Sequence, residues 1–201
     1  MEITGHGLYR AEHRALRELY AMAGQLAAHW GSLAPRLGGE AAEVLERGAA
    51  TARELLRELV ERTTAHGLHG VPAAQGLGSG GGRLKSAADL MLERNQALRR
   101  AVLDVQSVTT LLGYLARVAD EREGAELAAW ERGWETRLRD LEELVRTVAV
   151  NEGSDPDRAI VPADTGKVGR AGHAVANGLG TLGEAFDGSP IGRAARRVRG
   201  R

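Results

Sequence analysis

The sequence predicts an all-α protein, an antiparallel four-helix bundle followed by a C-terminal extension. Three observations carry this. Four long stretches place apolar side chains at steps of three and four, the stripe of an amphipathic helix. Ala, Leu, Arg and Glu dominate while aromatic residues make up 3% of the chain, as in helical proteins. Proline and glycine cluster between the stretches, where turns belong.

The first helix is expected over residues 8–33. Its seam is Leu8, Leu16, Leu19, Ala23, Leu26, Trp30 and Leu33, with Glu12 in the one seam position between Leu8 and Leu16. An isolated buried carboxylate is too costly to keep charged, so Glu12 must pair, protonate or lie near solvent. Two readings follow: a side chain near the bundle end paired with an arginine, or a relict or active metal ligand. Pro35 and Gly38-Gly39 are expected to end this helix.

The second helix covers residues 40–65, with Ala41, Leu45, Gly48, Ala52, Leu55, Leu59 and Thr63 facing inward. Mid-helix glycine costs about 1 kcal/mol relative to alanine. Gly48 therefore predicts a bulky neighbour, Trp130 or Trp134, with a small cavity as the alternative. A glycine-rich stretch, residues 66–83, then breaks the pattern. It is longer than adjacent antiparallel helices need and suits a crossover running the length of the bundle. His66 and His69 at its start read as surface side chains beside a helix end.

Ser86 and Asp89 make a capping box for a third helix, expected to run to residue 119. Leu98, Ala101, Val105, Val108, Leu112, Leu115 and Ala119 form its stripe, which Val102, Leu103, Leu111 and Val118 widen, so this helix should be covered on more than one side. Residues 120–124 mark a turn. The fourth helix spans 125–150, with Leu127, Trp130, Trp134, Leu138, Leu141, Val145 and Val148 in register; the two tryptophans read as core fillers.

The chain thus divides into a bundle, 1–150, and a Gly/Arg-rich extension, 151–201. The extension begins linker-like. It continues with a weak stripe (Val168, Ala171, Val175, Leu179, Leu182, Phe186) that needs a surface to lie on, and ends in Arg193, Arg196, Arg197, Arg199 and Arg201. That arginine cluster would be attracted to phosphates or an acidic partner. The 27 basic and 27 acidic residues cancel, so net charge argues for neither nucleic acid nor membrane. There is no cysteine, no membrane-length apolar run and no signal-peptide pattern, and the cytoplasm is the expected compartment.

Gly7-Leu-Tyr-Arg-Ala-Glu-His13 and Tyr20-Ala-Met-Ala23 resemble the opening helix of the YciE/YciF-type branch of the ferritin-like superfamily, a bacterial group associated with stress. The likeness in residue identity is confined to the first helix. The resemblance implies a ferritin-like bundle with a long crossover between its second and third helices. It also implies a di-iron or di-manganese site made of a Glu from each of two helices and Glu-x-x-His pairs from the others. Glu12 stands where the first ligand would be. Glu46-Arg-Gly-Ala-Ala-Thr51 and Leu103-Asp-Val-Gln-Ser-Val108 occupy the middles of the next two helices without the expected ligands, and the chain contains no Glu-x-x-His. There is also no P-loop, nucleophile elbow or His-Glu-x-x-His.

The expected function is therefore a non-enzymatic, metal-free bundle acting as an interaction or structural protein. No cofactor is expected, and a protein partner or self-association would be contacted through Leu179, Leu182, Phe186 and the arginine cluster. Two alternatives stand beside it. One is a divergent iron or manganese oxidase or storage protein using Glu12 with Asp104, Glu131 or Glu135. The other is association of the arginine tail with membrane or nucleic acid.

Overall fold

The structure, a computed structural model, describes residues 7–66, 92–164 and 166. Four long helices dominate: α1 (Arg10–Leu37), α2 (Gly39–Ala65), α3 (Arg94–Glu121) and α4 (Ala125–Asn151). A 3₁₀ turn, Glu152–Ser154, and a short helix α5, Pro156–Ala159, follow. The all-α bundle is as expected. α1 packs on α2 and α3, and α4 packs on α3 and α2.

The predicted seams form the core. Leu8, Leu16, Leu19, Ala23, Leu26, Trp30 and Leu33 are buried, as are all the inward positions expected on the second helix. The α3 stripe from Leu98 to Ala119 is buried throughout, covered by α1 on one side and α4 on the other. Leu103, expected to widen that stripe, instead lies 52% exposed. It sits on the flank that neither neighbour covers.

Three boundaries differ from expectation for physical reasons. α1 runs through Pro35 and ends at Leu37. Proline in a last turn forfeits one backbone bond, a loss that a well-packed helix tolerates. The break comes one step later, where Gly38 and Gly39 both take positive φ, 65° and 58°, a region that side chains disfavour. α3 begins at Arg94. Its N-cap Glu93 is extended and bridges Pro162, while the Arg94 N–H donates to the Val161 carbonyl. The Ser86–Asp89 capping box, the glycine-rich stretch after His66, including His69, and the tail beyond Gly166 lie outside the described residues; His66 is the C-cap of α2.

The third difference concerns residues 152–164, expected to be linker. They fold back onto the start of α3. Ala159 and Ala163 are buried, the Ala163 N–H donates to the Leu92 carbonyl, and Asn95 Nδ2 donates to the Ala159 carbonyl. The Asp155 side chain caps α5 by accepting from the Arg158 N–H, and Pro156 takes the first helical position, where no N–H is needed.

Gly48 does mark a close approach, but the bulky partner is Trp30 on α1. A Cβ at residue 48 would stand 2.1 Å and 2.2 Å from two carbons of the Trp30 ring, which is fully buried. The expected Trp130 and Trp134 point elsewhere, because both indole N–H groups donate to Glu58 Oε2 on α2, at 2.8 and 2.9 Å. Gly48→Ala gains about 1 kcal/mol of helix propensity. It must also displace a close-packed indole, and overpacking of this kind costs about 1–3 kcal/mol or more. A net loss near 2 kcal/mol is expected in urea unfolding. Gly24 and Gly133 meet nothing within 4 Å. Each is expected to gain stability, about 1 kcal/mol, when changed to alanine.

Candidate functional site

At the end of the bundle where α1 and α4 begin and α3 finishes, two carboxylates are fully buried. Glu12 on α1 and Glu131 on α4 are both 0% exposed. The turn between α3 and α4 places a guanidinium beside them. Arg122, Glu123 and Gly124 close this turn, with the Gly124 N–H donating to the Ala119 carbonyl and Glu123 held at φ 59°. That geometry turns Arg122 back toward α1.

Arg122 grips Glu12 with a two-pronged fork: Nε donates to Oε2 at 2.9 Å and Nη2 to Oε1 at 2.8 Å. The Tyr9 N–H also donates to Glu12 Oε2, at 3.2 Å. Glu12 thus satisfies the N-cap backbone donor of its own helix while pairing across to the C-cap of α3. Of the two readings offered by the sequence, the arginine-paired carboxylate is the one the structure contains.

Glu131 is the contrast. Neither of its carboxylate oxygens has a hydrogen-bond partner. Burial, and next the charge of Glu12, push its carboxyl up to about 8, against the pull of Arg122 and Arg132. At neutral pH Glu131 therefore carries its proton. Unfolded, the same group titrates near 4.5. The folded state thus holds the proton more tightly, so this group's contribution is most favourable below about pH 4.5 and is lost as pH rises through about 8. The whole span amounts to roughly 5 kcal/mol. Glu131→Gln is expected to flatten that part of the pH–stability curve between pH 5 and 9, measured by urea unfolding at fixed salt. An unchanged slope would show that another group sets it.

The other candidate ligands stay apart. Asp104 lies far along α3, paired with His29 Nδ1 at 2.5 Å and facing Arg100 at 3.7 Å. Glu135 is held by Arg139 and rests against Gly113. Only Glu131 joins Glu12. The tail residues Leu179, Leu182, Phe186, Arg193, Arg196, Arg197, Arg199 and Arg201 lie outside the described residues.

These residues do not fit the dinuclear centre that the resemblance implies. Such a centre needs several convergent anionic and imidazole ligands to offset the desolvation of two cations. Here one of two carboxylates is committed on both oxygens to a guanidinium, whose own charge repels a metal ion. Among the described residues, no group of three or more His, Cys, Asp or Glu side chains could hold a metal ion.

A second arginine fork lies at the other end of α3. Arg94 is 7% exposed; its Nε and Nη2 reach Glu152 at 3.1 and 2.9 Å, and Nη1 donates to the Leu37 carbonyl at 2.7 Å. One residue thus ties α3 to the end of α1 and to the segment after α4. Alongside, Leu92, Val102, Leu103, Ala149 and Val150 floor a surface groove of about 680 Å³, with Arg99, Arg100 and Arg146 on its rim. On the α2/α4 face, Arg137 stacks over Trp134 at 4.6 Å and pairs with Glu54.

Sequence reasoning missed Arg122, Arg94, Glu58 and the inward position of Glu131. For Glu131 a signal existed. It stands four residues after Leu127 and three before Trp134, on the seam itself, whereas Trp130 is only half-buried. For the arginines the partners are 110 and 58 positions away, beyond any local pattern.

Comparison of the chain with protein-family models, curated proteins and solved structures found no match. No described helix is long and apolar enough to cross a membrane.

Proposed function

We propose that this chain is a non-enzymatic, metal-free bundle of ferritin-like topology, serving as a structural or interaction module in a stress-related setting. Its C-terminal extension would be the part that contacts a partner. One observation carries the proposal: the buried carboxylate at the family's first ligand position is saturated by the Arg122 fork.

The topology is supported by pairs between helices. Glu12 meets Arg122, His29 meets Asp104, and the Leu37 carbonyl meets Arg94, a register in which α1 and α3 are antiparallel. Arg62 meets Glu126 and Glu58 meets Trp130 and Trp134, while Gly48 lies against Leu141, which supports an antiparallel α2 and α4 as well. On this reading α2 ends beside the start of α4, and α3 starts at the opposite end, beside Leu37. An interaction role is supported by the partly apolar groove beside Leu103 and Val150, which are 52% and 71% exposed.

Elemental analysis of the purified chain tests the proposal. Iron and manganese are expected at well below one ion per chain, with no oxygen consumption on adding ferrous iron. Two ions per chain, lost on Glu12→Ala, would overturn it in favour of a metal-dependent oxidase or storage protein.

A further inference from the structure

The groove between α3 and α4 has an apolar floor and a rim of one sign. Val102 and Leu103 come to it from α3, Ala149 and Val150 from α4, and Leu92 from just before α3; its volume is about 680 Å³. The step from Leu92 to Leu103 corresponds to about three helical turns, roughly 16 Å. Leu103 and Val150, on opposite banks, are 52% and 71% exposed. Large apolar side chains gathered in one exposed patch and rimmed by polar ones mark a contact site, where scattered ones do not. Arg99 and Arg100 stand on the α3 bank and Arg146 on the α4 bank, and none of the residues lining the groove is acidic. Arg99 donates to the neutral Asn95 Oδ1 at 3.1 Å. Arg100 is braced by Asp104 at 3.7 Å, and Arg146 by Glu142 at 2.8 Å and Glu143 at 3.9 Å. These carboxylates lie off the groove, so the charge presented along both banks is positive.

We infer that this groove receives an amphipathic helix of a partner protein, with its apolar stripe on Leu103 and Val150 and acidic side chains on both of its edges facing Arg99, Arg100 and Arg146. This rests on the reading of the chain as an interaction module and adds a contact surface on the bundle itself, with the chemistry of what it takes. The openness of the groove selects a helix over a small amphiphile. Small-molecule sites bury about 70–90% of their ligand. A trough whose two banks carry apolar side chains half or more exposed cannot enclose one. A helix needs only one face covered, and about three turns of it match the groove's length. Charge then selects the partner. Basic edges would meet like charge, and a second copy of the same face would set arginine against arginine. Arginine on both banks suits a helix with two acidic edges, where a single carboxylate head group would use only one bank.

Fluorescence anisotropy on the full chain tests this. The probe is a labelled peptide of about 14 residues with leucines at i, i+3, i+4 and i+7 and glutamates on the flanking positions. Its controls are a scrambled peptide of the same composition and a version with lysine in place of glutamate. The glutamate-edged peptide is expected to bind saturably, to become helical on binding, and to bind about tenfold more tightly than either control. Leu103→Glu is expected to weaken it about tenfold, and Arg99→Glu about fivefold. Both side chains are exposed, so the circular dichroism and melting of the bundle should stay as in the parent. Equal binding of the scrambled peptide, or binding that neither variant weakens, overturns the inference and places the contact elsewhere, as on the arginines of residues 193–201. Binding of dodecanoate, lost on Leu103→Glu, without binding of the peptide overturns it in favour of a small-molecule site. Self-association lost on Leu103→Glu, again without peptide binding, overturns it in favour of a second copy. A chain that binds none of the probes overturns it as well. The metal-free reading survives all of these outcomes and falls only to elemental analysis.

Discussion

Arg122→Met is expected to destabilise the bundle by about 3–5 kcal/mol in the absence of metal, the usual consequence of removing one partner from a buried ion pair. Glu12, 0% exposed, would keep only the Tyr9 N–H as a donor. Against a typical domain stability of about 5–15 kcal/mol, this is a large fraction. The loss belongs to the uncompensated charge and not to the missing contact. Arg122→Met combined with Glu12→Gln should therefore recover most of it, because replacing both partners of a buried pair is often nearly neutral. Chemical unfolding of the two single variants and the double variant gives the coupling directly. Strict additivity of the two changes would show that the fork contributes little.

Arg94→Met is expected to be comparably costly, about 3–5 kcal/mol, but different in kind. Arg94 and Glu152 have side chains only 8% exposed, and the same arginine satisfies the Leu37 carbonyl at the end of α1. Removing it leaves a buried carboxylate and an orphaned helix-terminal acceptor together. It also unties residues 152–164, whose remaining hydrogen bonds to the start of α3 are the backbone bonds to Leu92 and Arg94 and the Asn95 side-chain amide on the Ala159 carbonyl. Amide exchange is expected to speed up first in that segment and at the start of α3, with the Arg122 end protected as before. Uniform loss of protection along all four helices would mean that the two ends of α3 are not separable.

The helices were legible because burial of a stripe is a local, periodic property. Every seam residue expected on α1 is buried, and so is every one on the α3 stripe from Leu98 to Ala119. Glu12 was recognisable as an anomaly for the same reason, since a carboxylate on a seam asks for a partner. Its partner was not recognisable, because Arg122 lies in a turn whose backbone geometry decides where the side chain points. Gly48 showed a similar division. The missing side chain predicted a close approach, while the identity of the indole, Trp30 and not Trp130 or Trp134, depended on how α1 rotates against α2. Residues 152–164 carry no period, so nothing local announced that they pack. What holds them is Arg94, at a distance in sequence.

The two arginine forks make α1 and α3 a matched pair. Both helices are 28 residues long, and they are fastened at Glu12 with Arg122 and at Leu37 with Arg94. A single inserted residue between the fastenings of either helix would turn everything beyond it by about 100° and lift it by 1.5 Å. One fork would then come apart while the other held. Homologues of this chain should accordingly vary in length in these two helices together, by compensating steps, or not at all. Length, usually the freest property of a helical bundle, is here written into three side chains and one carbonyl.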